Sequence, residues 1–130
     1  MMKLSITSPN GVIFDDEVNY VVIDGNNGQL ALLENHSPIV VGIEFGFIKR
    51  INNQEEYFYQ ISEGIVEYAN NVINVIAQEA IGGVTLEDAK NNFTQYRNSK
   101  SQENKRKMMD FTELEKELAK NIKEIQASKL

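Results

Sequence analysis

The sequence contains no cysteine and no tryptophan, and it has a single histidine. Without cysteine the chain can form neither disulfides nor thiolate metal sites, and it has no cysteine nucleophile. His36 alone cannot build a histidine metal cluster, and adjacent residues such as His36 and Ser37 do not form a catalytic triad. These absences argue against an enzyme, and we expect neither a cofactor nor a metal.

Long apolar runs are also missing. No stretch of about 18 apolar residues occurs, so the sequence predicts no membrane-spanning helix. Residues 1–6 alternate in polarity and lack the apolar core of a signal peptide, which predicts a cytoplasmic protein. Neither a G-x-x-x-x-G-K-[ST] nor a G-x-G-x-x-G pattern is present, and a phosphate-binding loop is therefore not predicted.

Cations are scarce in the first two thirds of the chain. Residues 1–83 contain three Lys or Arg against eleven acidic residues, a net charge of −8, whereas residues 84–130 carry +2. Nucleic acid binding by the front part is disfavoured because phosphate contacts need clustered cations. The triplet Asp15-Asp16-Glu17 offers oxygen ligands for a divalent cation, but adjacent strand residues point to opposite faces, so we interpret it as a solvated turn.

Short alternating segments fill residues 1–83. In residues 18–23, for example, Val18, Tyr20 and Val22 share one face. Turn signals follow at intervals of about 8–12 residues, including Gly42-Ile43-Glu44 and Ser62-Glu63-Gly64. This pattern predicts an antiparallel β sandwich or barrel.

After Gly83 the apolar period changes from two to about 3.6. Thr85 is a suitable N-cap for a helix whose apolar face is Leu86, Ala89, Phe93 and Tyr96. A second helix is predicted after Asp110, with an apolar stripe formed by Phe111, Leu114, Leu118, Ile122 and Ile125. The two amphipathic helices and their short polar connection predict a hairpin.

The segment GQLALLENHSPI at residues 28–39 resembles the G-x-[FL]-[AG]-[LIV]-L-x-x-H-[AS]-P-[LI] segment of the epsilon subunit of bacterial F-type ATP synthases. The stretches LSITSPNGVIFDDEVNYVVIDG and SEGIVEYANNVINVIAQEA resemble the same family in order and spacing. The resemblance covers nearly the whole chain and is strongest across residues 3–80. It implies an α+β fold, with an N-terminal antiparallel β sandwich of about ten strands followed by a C-terminal α-helical hairpin.

The resemblance also implies a function. The chain would be a non-catalytic central-stalk subunit of a proton-translocating ATP synthase, peripheral on the cytoplasmic face of the cell membrane and touching the membrane only indirectly. Residues 1–83 would form the β-sandwich domain that binds gamma and the ring of c subunits. Residues 84–130 would form a two-helix regulatory domain that reaches the alpha/beta catalytic head and inhibits ATP hydrolysis.

Carried over by position, the contacts with gamma and the c ring are expected at Gln29, Glu34, Asn35, His36, Ser37 and Pro38. Gln29 stands where many relatives have an acidic residue, which weakens a salt bridge but leaves hydrogen bonding possible. The regulatory tail is expected to use Lys105, Arg106, Lys107, Lys116, Lys120 and Lys123.

Two departures from the family pattern carry further expectations. The ATP-binding motif I/L-D-x-x-R-A of some relatives is degenerate here, with Thr85 in place of Asp and Asp88 in place of Arg. A carboxylate at Asp88 repels phosphate, so we expect no ATP binding through this motif. Ser62-Glu63-Gly64 replaces Ser-Gly-Gly, and Glu63 would be strained if its φ were positive.

Two other readings of the sequence remain open. One is the equivalent stalk subunit of a paralogous, ATPase-driven machine, which the divergent tail allows. The other is a stand-alone β-sandwich binding module with a helical tail.

Overall fold

The computed structural model describes residues 1–102, in which seven strands precede a helix. The strands are β1 (Met2–Ser8), β2 (Gly11–Val18), β3 (Tyr20–Gly25), β4 (Gly28–Leu32), β5 (Ile39–Asn52), β6 (Glu55–Ala69) and β7 (Val72–Gly83). The helix, α1, begins at residue 86, and its described part runs to residue 102. The strands follow the order β2-β1-β7-β6-β5-β3-β4, and every neighbouring pair is antiparallel except the parallel pair β1 and β7. The predicted β sandwich followed by helix is confirmed, while the second predicted helix lies outside the described residues.

The three longest strands take part in both layers of the sandwich. Their ladders are interrupted at one level, where Glu44, Glu63 and Gln78 have no paired partner. On one side of this level β7 pairs with β1, and on the other side β5 pairs with β3. We call the part with β1 and β2 the first layer and the part with β3 and β4 the second layer.

This sharing explains why the structure has seven strands where about ten were expected. The predicted turns at residues 42–44 and 62–64 were wrong, because each strand continues in the same register beyond the interruption. The side of β6 that faces the core changes there, from Tyr59 and Ile61 before it to Val66 and Tyr68 after it. Glycine and polar residues therefore mark a bend within continuous strands rather than their ends.

Glu63 lies at this bend with a φ of 51°, which is the positive value for which the sequence predicts strain. This left-handed conformation costs an L-residue roughly 1–2 kcal/mol, whereas glycine adopts it freely. A glycine at this position would remove that cost, but it would also have more conformational freedom in the unfolded chain, which offsets part of the stabilisation. We expect Glu63→Gly to raise the free energy of unfolding by about 0.5–1 kcal/mol in urea denaturation.

Glu44→Gly is the matched control, because it removes the same charge at the same bend. Glu44 is not among the residues with positive φ, so glycine only adds freedom to the unfolded chain there. We expect this control to lose about 0.5–1 kcal/mol. Equal effects of the two substitutions would contradict the role of the Glu63 backbone.

One apolar core lies between the two layers. All seven strands contribute side chains that are fully or almost fully removed from solvent. Examples are Met2, Leu4, Ile6, Val21, Ile23, Ile48, Ile61, Val66, Tyr68, Ile73 and Val75. Burial of this apolar surface is the main force that closes the sandwich.

The start of α1 packs on the outer face of the second layer. Thr85 caps the helix, since its Oγ1 accepts a hydrogen bond of 3.1 Å from the Asp88 amide, as predicted. Ala89 and Phe93 are buried, and the Phe93 ring meets Phe45 of β5 edge to face at 5.6 Å. Gly83 allows this approach, because a methyl group there would overlap the Ala89 backbone.

Gln60 is a polar residue buried on this same outer face. It is 1% exposed. On β6 it lies between Phe58, which pairs with Gly83, and Ser62, which pairs with Phe45. Its Nε2 donates to the Gly46 carbonyl at 2.7 Å, but its Oε1 has no hydrogen-bond partner. An unsatisfied buried acceptor lowers stability by about 1–3 kcal/mol.

The chain divides into two compact units, Met1–Thr94 and Gln95–Leu130. The first contains all seven strands and the beginning of α1. In the described part of the second, the Lys100 ammonium lies 5.8 Å from the centre of the Tyr96 ring. Within residues 1–102, no helix has the length and apolar character needed to cross a membrane.

Candidate functional site

The loop of residues 33–38 connects β4 of the second layer to β5, and it contains five of the six predicted contact residues. It begins with a turn in which the His36 amide donates to the Leu33 carbonyl at 3.3 Å. Asn35 has a φ of 61° at the third position of this turn, a conformation that asparagine tolerates better than most residues.

A buried tyrosine reaches this loop from β6. Tyr68 is 1% exposed, and its hydroxyl accepts a hydrogen bond of 3.2 Å from the His36 amide. The same hydroxyl lies 3.0 Å from the Leu33 carbonyl and 2.9 Å from Asn71 Oδ1. It has one proton, so it donates to one of these two acceptors at a time.

The turn between β6 and β7 supplies a second contact to the loop. Asn71 Oδ1 accepts a hydrogen bond of 2.7 Å from the Asn35 amide, and Asn71 Nδ2 lies 3.4 Å from Asn35 Oδ1. Asn70 and Asn71 have φ values of 51° and 59°, as two-residue hairpin turns of this kind require. Two residues more than thirty positions away in the sequence therefore hold the loop.

The orientation of the His36 ring follows from two contacts. Its Nδ1 lies 2.6 Å from the Ser37 carbonyl oxygen, and the ring meets the Tyr68 ring edge to face at 5.6 Å. Because a carbonyl oxygen only accepts, Nδ1 carries the proton and Nε2 of the neutral ring is an acceptor. A surface hollow of about 370 Å³ lies beside the ring, lined by Asn35, His36, Pro38, Asn70 and Asn71.

Two further predicted contact residues, Glu34 and Gln29, lie at different distances from His36. Glu34 is exposed and forms an ion pair with the α-amino group of Met1, whose pKa is raised by this hydrogen bond. Gln29 is paired with Asp24 near the other end of β4. Leu32 lies three residue steps along the strand from Gln29, which corresponds to about 10 Å. The structure thus groups Glu34 to Pro38 and leaves Gln29 apart.

The turn next to Gln29 is fixed to the bend of β5. Asn26 Oδ1 accepts a hydrogen bond of 2.8 Å from the Glu44 amide, and the Asn26 amide donates to the Gly42 carbonyl at 3.1 Å. The Glu44 amide lies where the ladder is interrupted, so Asn26 satisfies a donor that would otherwise lack a partner. This firmly attached turn holds the start of β4, where Gln29 lies.

An exposed apolar row crosses the outer face of the first layer. Ile65 of β6 is opposite Ile76 of β7, Ile76 is opposite Thr7, and Thr7 is opposite Val12. Ile65 and Ile76 are 58% and 68% exposed. Val40 is also exposed, and it lies two residues after Pro38 on β5, the strand that pairs with β6. The row formed by Val12, Val40, Ile65 and Ile76, called the outer row below, therefore extends from the 33–38 loop.

The acidic triplet lies in strand β2, so its interpretation as a turn was wrong. Asp15 lies 3.6 Å from the Lys3 ammonium, and Asp16 accepts a hydrogen bond from the Glu17 amide. Within residues 1–102, no three His, Cys, Asp or Glu side chains converge to hold a metal. Thr85 and Asp88 of the degenerate ATP motif form the N-terminal cap of α1. The predicted cationic tail residues lie outside the described part of the chain.

Tyr68 and Asn71 were not predicted as site residues. The sequence indicates a turn at residues 69–71, but nothing in it shows that this turn lies beside a loop near residue 35. Only the antiparallel pairing of Ile39 with Tyr68 brings the two segments together.

Comparison with known proteins agrees with this architecture. Residues 1–83 match the family described as ATP synthase, Delta/Epsilon chain, beta-sandwich domain. An ATP synthase epsilon chain of Gloeobacter violaceus is 35% identical over 61% of this chain and 60% of its own length. One from Janthinobacterium sp. is 29% identical over 97% of this chain and 91% of its own length. The chain thus spans less than two thirds of the Gloeobacter relative.

Solved structures share the fold. A chain in the Euglena gracilis mitochondrial ATP synthase, in a structure of OSCP/F1/c-ring, superposes with a TM-score of 0.57 at 23% identity, covering 61% of this chain and 51% of that one. A chain of the Tetrahymena thermophila mitochondrial ATP synthase central stalk/c-ring gives 0.53 at 12% identity, covering 62% and 65%. The resemblance to epsilon subunits is therefore confirmed, and this chain belongs to the family of ATP synthase delta/epsilon chains.

Proposed function

We propose that the chain is a non-catalytic central-stalk subunit of an F-type ATP synthase that binds gamma and the c ring, and thereby couples rotation to the catalytic head. Membership of the delta/epsilon family is the observation that carries this proposal. In this role the protein is peripheral, on the cytoplasmic face of the membrane, and it takes part in ATP synthesis without a catalytic group of its own.

The surface around His36 supports a protein partner. The 33–38 loop is fixed to the sandwich by hydrogen bonds, and the outer row beside it exposes several aliphatic side chains. Exposed aliphatic side chains interspersed with polar groups are typical of protein–protein interfaces. We assign gamma to the loop and the outer row, and the c ring to the turn that holds Gln29.

Binding to gamma is the test of this proposal. We expect the full chain to co-elute with the gamma subunit from the same genome in size-exclusion chromatography. Ile76→Glu should weaken this binding by about tenfold or more, because it places a charge in the apolar contact. Val84→Glu is the matched control, since Val84 is 66% exposed against 68% for Ile76 and the added charge is the same. Failure of the unaltered chain to bind gamma would overturn the proposal.

The C-terminal segment is proposed to regulate the complex. Residues 84–130 would inhibit ATP hydrolysis by contact of their cationic side chains with the alpha/beta head. Charge supports this proposal, because this segment carries +2 whereas residues 1–83 carry −8. The replacement of the ATP motif at Thr85 and Asp88 means that such regulation would not respond to ATP through that motif.

A further inference from the structure

We propose that Tyr68 and Asn71 are positioning residues, which hold the 33–38 loop in the shape that its partner recognises. This inference rests on the proposed function, in which the loop contacts gamma. Neither residue needs to touch the partner, because both act through Asn35 and His36.

The first step of the argument is where the hydrogen bonds of the loop go. Apart from the ion pair of Glu34 with the Met1 α-amino group, the hydrogen bonds from this loop to the rest of the described region go to Tyr68 and Asn71. They satisfy the amides of two successive residues, Asn35 and His36. Loss of the Asn71 side chain would leave the Asn35 amide to water, and loss of the Tyr68 hydroxyl would leave the His36 amide with only its 3.3 Å bond to the Leu33 carbonyl inside the loop. Either change would free part of the loop.

The second step is that both supports are themselves rigid. The Tyr68 ring is buried in the core, so the position of its hydroxyl is fixed by packing. Asn71 is held by a two-residue hairpin turn in which it has a φ of 59°. A loop fixed by such supports loses little conformational entropy when a partner binds, and preorganisation of this kind increases affinity.

The third step is what this arrangement presents to a partner. The amides of Asn35 and His36 and the Leu33 carbonyl are used internally. The Ser37 carbonyl accepts from Nδ1, so Nε2 of the uncharged ring is left as an acceptor, and His36 lines the hollow. The partner surface should therefore offer a hydrogen-bond donor at this point, such as a lysine, an arginine or a backbone amide.

Adjacent asparagines make a matched test possible. Asn70 and Asn71 both have positive φ, so glycine preserves the turn at either position. Asn71→Gly removes the amide that holds the loop, whereas Asn70 makes no hydrogen bond to the 33–38 loop among the described residues. Tyr68→Phe removes only the hydroxyl and keeps the buried ring. All three variants are to be made in the full chain.

Two readouts separate positioning from general stability. The first is amide hydrogen exchange at Asn35 and His36, measured by NMR. We expect it to become about tenfold faster in Asn71→Gly and Tyr68→Phe and to stay unchanged in Asn70→Gly. The second is the Kd for gamma by calorimetry, expected to rise by about three- to tenfold in the same two variants only.

Several outcomes would overturn the inference. Equal exchange rates in all variants would show that the two side chains do not hold the loop. Faster exchange with an unchanged Kd would show that the held shape is not what gamma recognises. If the unaltered chain does not bind gamma, the proposed function fails, and the exchange rates alone then decide whether Tyr68 and Asn71 hold the loop.

Discussion

Replacing Gly46 with alanine is expected to unfold most of the protein. A methyl group at Gly46 would overlap the backbone carbonyl oxygen of Asp24 on the neighbouring strand β3. Backbone atoms of a paired strand cannot rotate away as a side chain can, so β3 and β5 would have to separate. We expect a loss of more than about 4 kcal/mol, which is a large part of the stability of a typical domain.

Gly42→Ala is the matched control for this substitution. It makes the same change on the same strand, but the nearest atom is Asn26 Nδ2 at 3.3 Å, the end of a side chain. We expect it to cost less than about 1 kcal/mol in urea denaturation followed by circular dichroism. A Gly46→Ala protein as stable as Gly42→Ala would contradict the close approach of β3 and β5.

Removing the Arg50 side chain is expected to have the second largest effect. Its guanidinium lies 4.3 Å from the centre of the Phe14 ring and 4.7 Å from that of Tyr57. Its Nε donates to the Tyr59 hydroxyl at 3.0 Å. Phe14 belongs to β2, the last strand of the first layer, so Arg50 joins this edge to the second layer. Burial raises the pKa of Tyr59 although Arg50 acts in the opposite direction.

We expect Arg50→Ala to lower the free energy of unfolding by about 3 kcal/mol, from lost cation–π contacts and lost packing of the stem. Arg50→Lys should recover less than half of this, because an ammonium cannot stack on two rings and donate to Tyr59 as a planar guanidinium does. Urea denaturation with linear extrapolation gives the values.

Lys49→Ala provides the comparison, since it removes a neighbouring cation from the opposite side of β5. The Lys49 ammonium lies 3.4 Å from Glu56 and 6.0 Å from the centre of the Phe58 ring, and one partly exposed ion pair with a distant ring contact contributes little. A change of no more than about 1 kcal/mol is expected there. If the two alanine variants were equally stable, Arg50 would not join the layers.

The sequence was informative where a local pattern decides the structure. The alternation of β1, the N-cap at Thr85 and the burial of Ala89 and Phe93 all follow from the spacing of a few neighbouring residues. Such features need no knowledge of distant segments, because period and capping act within one element.

Features that depend on distant segments were not predictable. Lys49 and Arg50 are adjacent cations in one strand, and only the pairing of β5 decides that Arg50 lies among aromatic rings. The residues that hold the 33–38 loop come from another hairpin. The predicted turns at Gly42 and Gly64 failed for a related reason, since a strand shared by two layers bends where an isolated strand would end.

The shared strands have a mechanical consequence. In a sandwich whose layers are joined only by side-chain packing, a sideways force can slide one layer over the other. Here the main chains of β5, β6 and β7 run from one layer into the other, so sliding would have to change the backbone dihedral angles at three places at once. The sandwich should therefore deform as one stiff body. In the proposed role, a torque applied to one face of the sandwich would be transmitted to the other face with little deformation of the domain.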